Sequence, residues 1–321
     1  MELLNKAQSL LESFPPDYEE AGKLFEMAYN TEPKNSLILS NYAEYLLLVG
    51  EIDRAKEMLQ TSITINPYDD YIKYFSLAQL LDGEESMDIW KKGICILDEK
   101  MKNENDKDNI NRFKSQMCSA LTAIAELYMT DLCDLSDAEE QVKWCIDLAL
   151  SYEKDNFETL CCQLSYFKTI DDRDNSKILV QHLKDILYNK LGLKRKAVDK
   201  SIIVGNAENC LENCNDAKTP DFQFRLNLCR TLIDLGETEF AEDILDSLLE
   251  EDEEDWQVWY ILAWCCLVGS NIEGAKEAVE LCKKFSSKYI IDPEVISQVQ
   301  EDIHNLVTNI ENHENYLKGT N

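Results

Sequence analysis

The chain repeats a pattern of small and bulky residues at an interval of 34 positions. Ala21, Phe25, Ala28 and Pro33 recur as Ala55, Leu59, Ser62 and Pro67, and Ala241, Leu245 and Leu248 recur as Ala275, Val279 and Cys282. An interval of this length is typical of a two-helix unit that stacks on copies of itself. Small residues at a helix crossing let two backbones approach, and Ala43 with Ala55 and Ala263 with Ala275 supply such pairs. We therefore expect an array of helix pairs.

Glycine and proline punctuate this array where helices must end. Gly50 and Gly236 fall at the turns inside helix pairs, where a residue with positive φ ends the first helix. Pro33 and Pro67 fall at the boundaries between units. The pattern resembles the tetratricopeptide repeat, which implies an all-α solenoid of about six to seven helix pairs with a C-terminal capping helix and a concave, polypeptide-binding face. A generic helical bundle also has Ala and Leu at helical spacing, but it does not require this recurrence.

The pattern divides the chain into six predicted segments. They are N-terminal repeats over 1–101, a polar loop insertion over 102–113, central repeats over 114–190, an irregular insertion over 191–219, C-terminal repeats over 220–290, and a capping helix with a tail over 291–321. The apolar face of the predicted capping helix consists of Val295, Val299, Ile303, Leu306 and Ile310.

The chain is strongly acidic. Its 62 acidic and 32 basic residues give a formal net charge of −30, while 45% hydrophobic residues indicate a folded protein. Because like charges repel, this balance argues against nucleic acid or an anionic membrane as the main partner and favours a basic protein. The alternative is that the acidity only keeps the protein in solution.

Twelve cysteines fit a reducing compartment better than a disulfide framework. Five of them lie at helix-core positions, where a thiol behaves as a small apolar group: Cys118, Cys145, Cys229, Cys265 and Cys282. Cys210 and Cys214 are spaced like metal ligands but have no second pair or nearby His, so we expect no zinc site. Residues 1–11 are amphipathic rather than signal-like, and no stretch is long enough to span a membrane. Reduced thiols predict a cytosolic or nuclear compartment, and the family resemblance described below implies a protein that is both cytoplasmic and nuclear.

Catalytic and cofactor-binding motifs are missing from the sequence. The three histidines, His182, His304 and His313, have no nucleophile or ligand set at a recognisable spacing. There is no Gly-rich phosphate loop and no nucleophile elbow. We therefore expect a binding protein without enzymatic activity, cofactor or metal.

A run of six acids over 250–255 ends directly at Trp256. Carboxylates beside aromatic rings suit Lys and Arg, through ion pairs and cation–π contacts. A solvated turn is the other interpretation of such a run. A cationic clamp for acidic tails does not fit, because Glu44 lies among the inner-face positions of the second repeat and Tyr260 and Trp264 lie among those of the last repeat.

Three stretches resemble one family of tetratricopeptide-repeat proteins. They are AELYMTDLCD at 125–134 followed by Asp137-Ala138-Glu139, NFETL at 156–160 with Gln163, and VWYILAWC at 258–265. Together they resemble the eukaryotic assembly chaperones dedicated to large-subunit ribosomal protein L-four, over about residues 20 to 285. The chain departs from that family at Phe157, where the family has Pro, and at Ala263, where it tends to have Gly.

The resemblance implies a specific client and a way of holding it. Ribosomal protein L-four is very basic, and its internal loop is unfolded until it meets ribosomal RNA. An acidic concave surface would hold newly made L-four, keep it soluble and deliver it to the pre-60S particle. The candidate client contacts are Glu44, Glu126, Asp131, Asp134, Glu158, Glu254, Asp255, Trp256, Tyr260 and Trp264. Asp134 could instead cap the next helix, and Trp264 could belong to the core.

A generic tetratricopeptide scaffold or adaptor subunit of a multiprotein complex is the alternative function. An acidic surface that holds a basic client loses affinity steeply as salt is added, whereas an apolar joint between subunits does not. In either case we expect a monomer with a protein partner and no direct contact to nucleic acid or membrane.

Overall fold

The structure, a computed structural model, describes residues 1–190, 192–193, 220–289 and 293–319. The chain divides into two compact units, residues 1–159 and residues 160–321, and the boundary falls inside a helix.

Helices account for most of the described residues. In chain order they are α1 (Glu2–Leu11), α2 (Tyr18–Thr31), α3 (Ser36–Leu48), α4 (Ile52–Ile65), α5 (Ile72–Ala78), α6 (Gly83–Asn103), α7 (Lys107–Met129), α8 (Ala138–Tyr152), α9 (Phe157–Thr169), α10 (Arg173–Asp185) with a π-helical turn (Ile186–Lys190), α11 (Phe222–Asp234), α12 (Thr238–Glu251), α13 (Trp256–Val268), α14 (Ile272–Tyr289) and α15 (Pro293–Gly319). Over the described residues these make seven consecutive pairs and a last helix, which confirms the all-α prediction.

Small residues of the repeat are buried in the core of the paired helices. Ala43 on α3 and Ala55 on α4 are both fully buried, as are Ala263 on α13 and Ala275 on α14. The bulky repeat residues Leu59, Leu245 and Val279 are buried as well, so each pair is filled by the residues that the 34-residue pattern contains. A larger side chain at the alanine positions would push the paired helices apart.

A left-handed residue ends the first helix in four of the pairs. Gly50 and Gly236 both have φ of +79°, as predicted. Asp171 and Ser270 take the same place after α9 and α13, with φ of +54° and +62°. A side chain at positive φ is strained, so these two turns carry a cost that glycine avoids at the other two.

The predicted polar loop over 102–113 is wrong. α6 continues to Asn103 and α7 begins at Lys107, which leaves only 104–106 as a connection. Asp106 caps α7 by accepting a hydrogen bond from the Asp108 amide at 3.2 Å. Phe113 is buried on the same helix. The polar residues that suggested a loop form the exposed side of this helix.

The terminal helix is present, but its predicted apolar face is one residue too long. Val299, Ile303, Leu306 and Ile310 are buried against the last pair, whereas Val295 is 45% exposed. The predicted insertion over 191–219 lies outside the described residues, apart from 192–193, and so do Cys210 and Cys214.

Two buried cations hold turns in place. The Lys73 ammonium is buried in the first unit, where it donates to the Asp69 carboxylate and to the Asn66 carbonyl. The Arg225 guanidinium in the second unit binds both carboxylate oxygens of Glu251, at 2.6 and 2.7 Å, and the Pro220 carbonyl at 2.9 Å. A buried charge is tolerated only with such a complete set of partners.

The five cysteines predicted for the core are all buried. Burial raises the pKa of Cys118, Cys145 and Cys282 to about 12 in each case. Cys95 and Cys133 are exposed. The two groups therefore differ in solvent access.

Replacing Ser270 by Gly is expected to stabilise the second unit. Gly relieves the strain of the left-handed backbone, and the gain is up to about 1 kcal/mol after the higher entropy of the unfolded Gly chain is subtracted. Urea unfolding measures it. The matched control is Gly236→Ser, because a Cβ at this position would meet no atom within 4 Å. This variant should therefore lose stability only because Ser is strained at a φ of +79°. A lower midpoint for Ser270→Gly would contradict this account.

Maleimide labelling of the native protein at neutral pH is expected to modify Cys95 and Cys133 and to spare Cys118, Cys145 and Cys282. The thiolate is the reactive form, and a thiol with a pKa of about 12 is almost entirely protonated at this pH. Peptide mapping before and after unfolding identifies the sites. Rapid labelling of the three buried thiols in native protein would contradict the packing described above.

Candidate functional site

Two candidate acids occupy equivalent places on first helices of the first unit. Glu44 follows the fully buried Ala43 on α3, and Glu126 follows the fully buried Ala125 on α7. Because the buried alanine fixes the rotation of each helix against its partner, the next residue is turned to the exposed side. Both glutamates are exposed.

Hydrogen bonds between α7 and α9 bring Glu158 to the same region as Glu126. The buried hydroxyls of Thr122 and Thr159 hydrogen bond at 2.9 Å and fix the start of α9 against α7. The Ser119 hydroxyl donates to the Glu158 carboxylate at 2.6 Å. Burial raises the pKa of Glu126, and the neighbouring Glu158 charge raises it further. The predicted contacts Glu126 and Glu158 are thus brought together.

Glu44 has an acidic neighbour of its own. Burial of its carboxylate raises the pKa of Glu44, and the charge of Asp70, which precedes α5, adds to the effect. Lys100 reaches Asp70 at 3.6 Å. We call Glu44, Asp70, Glu126 and Glu158 the acidic face of the first unit.

The acidic face combines solvent access with crowding. Glu44 and Glu126 keep exposed side-chain area, yet protein atoms around their carboxylates remove enough water to raise their pKa. This combination is typical of a recessed surface. Crowded, poorly hydrated carboxylates have lost part of their hydration energy and repel one another, so an incoming cation stabilises them more than it would a lone surface acid.

The other two acids of the central stretch lie in the turn between α7 and α8. Asp131 accepts a hydrogen bond from the Gly83 amide at 3.0 Å and so caps the start of α6. Asp134 is exposed in the same turn. The Asp131 carboxylate thus already has a hydrogen-bond partner within the protein. That Asp131 and Asp134 contact the client stays a prediction.

Most of the acidic run over 250–255 is engaged locally. Glu251 binds Arg225, and Asp252 accepts a hydrogen bond from the Glu254 amide at 2.9 Å. Glu254 pairs with Lys288 at 2.7 Å. Asp255 caps α13 through the amides of Gln257, at 2.7 Å, and Val258, at 3.3 Å. These contacts favour the turn interpretation over a landing site for basic side chains, although binding at Glu254 and Asp255 stays an untested prediction.

The three aromatic candidates are half-buried rather than free. Trp256, Tyr260 and Trp264 pack at the edge of the apolar cluster formed by α13, α14 and α15. Burial raises the pKa of Tyr260, the charge of Asp302 on α15 adds to it, and Arg230 on α11 opposes it. Part of each ring remains accessible.

Sequence reasoning missed Asp70 and Ser119. Asp70 stands beside Asp69 after a repeat-boundary proline, in the place where the next first helix begins, and this position was the signal available in the sequence. Ser119 gives no such signal, because only the packing of α9 on α7 brings it to Glu158.

Among the described residues, no group of three or more His, Cys, Asp or Glu side chains could hold a metal ion. Within the same part of the chain, every helix is too short or too polar to cross a membrane.

Two curated proteins are similar to this chain, and both are named "Probable assembly chaperone of rpl4". The one from Schizosaccharomyces pombe is 28% identical over 274 residues, which are 83% of this chain and 73% of that protein. The one from Emericella nidulans is 23% identical over 276 residues. They are 82% of this chain but 63% of that protein, so the chain spans less than two thirds of its length. No family model matches the chain.

Solved structures show the fold. The structure of the assembly chaperone of RpL4, Acl4, matches with a TM-score of 0.67 at 21% identity, over 86% of this chain and 98% of that chain. A tetratricopeptide repeat protein from Parabacteroides merdae matches with a TM-score of 0.55 at 12% identity, over 94% of this chain and 98% of that one. The predicted tetratricopeptide-repeat fold and the resemblance to the L-four chaperones are confirmed.

Replacing Glu126 by Gln is expected to stabilise residues 1–159 at neutral pH by a few tenths of a kcal/mol, because it removes repulsion at an accessible site. The pKa of Glu126 and of Glu158 is raised on folding, so the folded state keeps protons that the unfolded chain has already lost. The free energy of unfolding of the wild type therefore rises as the pH falls from neutral through the raised pKa of these two glutamates. The difference in stability between the variant and the wild type should disappear over the same change in pH. Hydrogen exchange of α7 and α9 amides, followed at each pH, measures the stability of the two proteins.

The matched control is Glu140→Gln, at an exposed acid on α8. It should change exchange rates little at any pH. An equal effect of the control, or an advantage of Glu126→Gln that persists at low pH, would refute the crowding of Glu126 with Glu158.

Proposed function

We propose that this chain is a dedicated chaperone of large-subunit ribosomal protein L-four, and that it holds a basic segment of this client on the acidic face. The observation that carries the proposal is geometric: the Thr122–Thr159 and Ser119–Glu158 hydrogen bonds bring Glu158 to α7, where Glu126 lies exposed on a first helix of the kind with which tetratricopeptide repeats bind polypeptides. Glu44 is exposed in the same way on α3, and burial followed by the charge of Glu158 or Asp70 raises the pKa of Glu126 and Glu44. The names of the two curated relatives support the choice of client.

The acidic face suits a client that must be held and then released. Lys and Arg side chains regain, in ion pairs with crowded carboxylates, the hydration energy that they lose on binding. Ribosomal RNA carries a far denser negative charge and would compete for the same cations, which gives a physical route to transfer at the pre-60S particle. Such a mechanism needs neither covalent chemistry nor a cofactor, so we propose a role without catalysis.

The same proposal includes where the protein acts and in what form. A client made in the cytoplasm and assembled in the nucleus requires a chaperone present in both compartments. We also propose that the chain acts as a monomer, with the client as its protein partner and without direct binding to nucleic acid or membrane. The generic scaffold remains the competing function, since other tetratricopeptide proteins share the fold.

Capture from cell extract at low salt separates the two functions. Tagged full-length chain is expected to retain L-four in near-equal amount, and not other ribosomal proteins, as identified by mass spectrometry. A fixed set of other subunits without L-four would refute the chaperone function and favour the scaffold.

Calorimetric titration with purified L-four tests the acidic face directly. The double change Glu126→Gln and Glu158→Gln is expected to weaken binding roughly tenfold at low salt, because two charge contacts are lost. The slope of affinity against salt should fall as well. Glu140→Gln, on the second helix of the same pair, serves as the control and should change neither quantity. Unchanged affinity of the double variant would exclude Glu126 and Glu158 from the contact.

A further inference from the structure

The chemistry of the first helices changes between the two units. In the first unit, the residues that follow the buried small residues of α3 and α7 are Glu44 and Glu126. In the second unit, Arg230 follows the fully buried Cys229 on α11, and Trp264 follows the fully buried Ala263 on α13. Equivalent positions therefore present carboxylates in one unit, and a cation and an aromatic ring in the other.

The exposed side of α11 is polar but almost free of negative charge. Gln223, Asn227 and Arg230 lie along it at helical spacing and are exposed. Asp234, the one acid of this helix, forms an ion pair with Lys168. Gln223 and Arg230 both donate to the Asn227 side-chain oxygen, at 3.3 and 3.4 Å, so the three side chains form one exposed polar row. Amides and a guanidinium are groups that bind the carbonyl and amide groups of an extended polypeptide.

The neighbouring helix α13 has no charged residue in its 13 positions, although 29% of the whole chain is charged. Tyr260 and Trp264 on this helix are half-buried and keep accessible ring area. Arg230 and Asp302 both act on Tyr260 from neighbouring helices, and Asp302 also accepts a hydrogen bond from Gln298 at 3.3 Å. The two charges act on Tyr260 in opposite directions, and partly exposed aromatic rings are typical anchor points for apolar side chains.

We propose that this surface, Gln223, Asn227, Arg230, Gln257, Tyr260 and Trp264, binds an uncharged stretch of the client that carries a large apolar side chain. The proposal rests on the function proposed above and deepens it, because it assigns two kinds of sequence to one client. The amides and Arg230 bind the backbone of the stretch, and the two rings bind its apolar side chain. The surface offers a basic stretch no net attraction, since Arg230 opposes Asp302 beside Tyr260 and Asp234 is already paired with Lys168.

Isosteric charge changes on α11 give the sharpest test. Gln223→Glu with Asn227→Asp adds two negative charges at exposed positions of α11. Gln223 lies in the first turn, where an acid is compatible with the fold. Calorimetric titration with full-length L-four is expected to show affinity unchanged or reduced, with the same slope against salt. Tighter binding with a steeper slope would mean that the stretch is basic and would overturn the proposal.

Removal of the amides tests whether the surface is used at all. Gln223→Ala with Asn227→Ala favours the helix and is expected to weaken binding of L-four roughly tenfold without changing the slope against salt. The control is Gln181→Ala, an exposed amide on the second helix α10. Full affinity in the Gln223/Asn227 variant would overturn the proposal, while loss of affinity in Glu126→Gln with Glu158→Gln would still support the acidic face. Failure of wild type to bind L-four would instead refute the proposed function itself.

Discussion

Close approach of helices at small, fully buried residues is the constraint on which the rest of the molecule depends. Ala43 against Ala55 and Ala263 against Ala275 allow paired helices to pack, and each alanine also fixes the rotation of its helix. The neighbouring residue in the chain is then turned outward. The same packing requirement in each repeat therefore produces a buried position and, next to it, an exposed position. The exposed residues can vary in charge and polarity without loss of the fold.

The acidic face shows how this freedom can be used. Glu44 and Glu126 are exposed, and burial of their carboxylates together with a neighbouring acid raises the pKa of both. Crowded carboxylates are a cost to the free protein that a cationic partner removes. Other acids have local partners: Glu251 pairs with Arg225, and Asp255 caps α13.

Local sequence patterns located helices well where the apolar spacing was regular and failed where polar residues interrupted it. The 34-residue recurrence predicted the pairs around Ala55 and Ala275, and Gly50 marked a turn. The segment 102–113 looked like a loop because its polar residues outnumber its apolar ones. In the structure Phe113, one of its few apolar residues, is buried on the inner side of the long helix α7. Polar residues on the exposed side of that helix do not destabilise it.

The sequence by itself determined the class of fold, the buried cysteines and the placement of Glu44 and Glu126 beside buried alanines, because these follow from a repeat that each unit must satisfy locally. Only the tertiary structure decided which acids act together. Glu126 meets Glu158 through the packing of α9 on α7, while Asp131 is bound to Gly83, 48 residues away in the chain. Electrostatic coupling depends on distance in space, and the spacing of acids along an acidic sequence does not contain that distance.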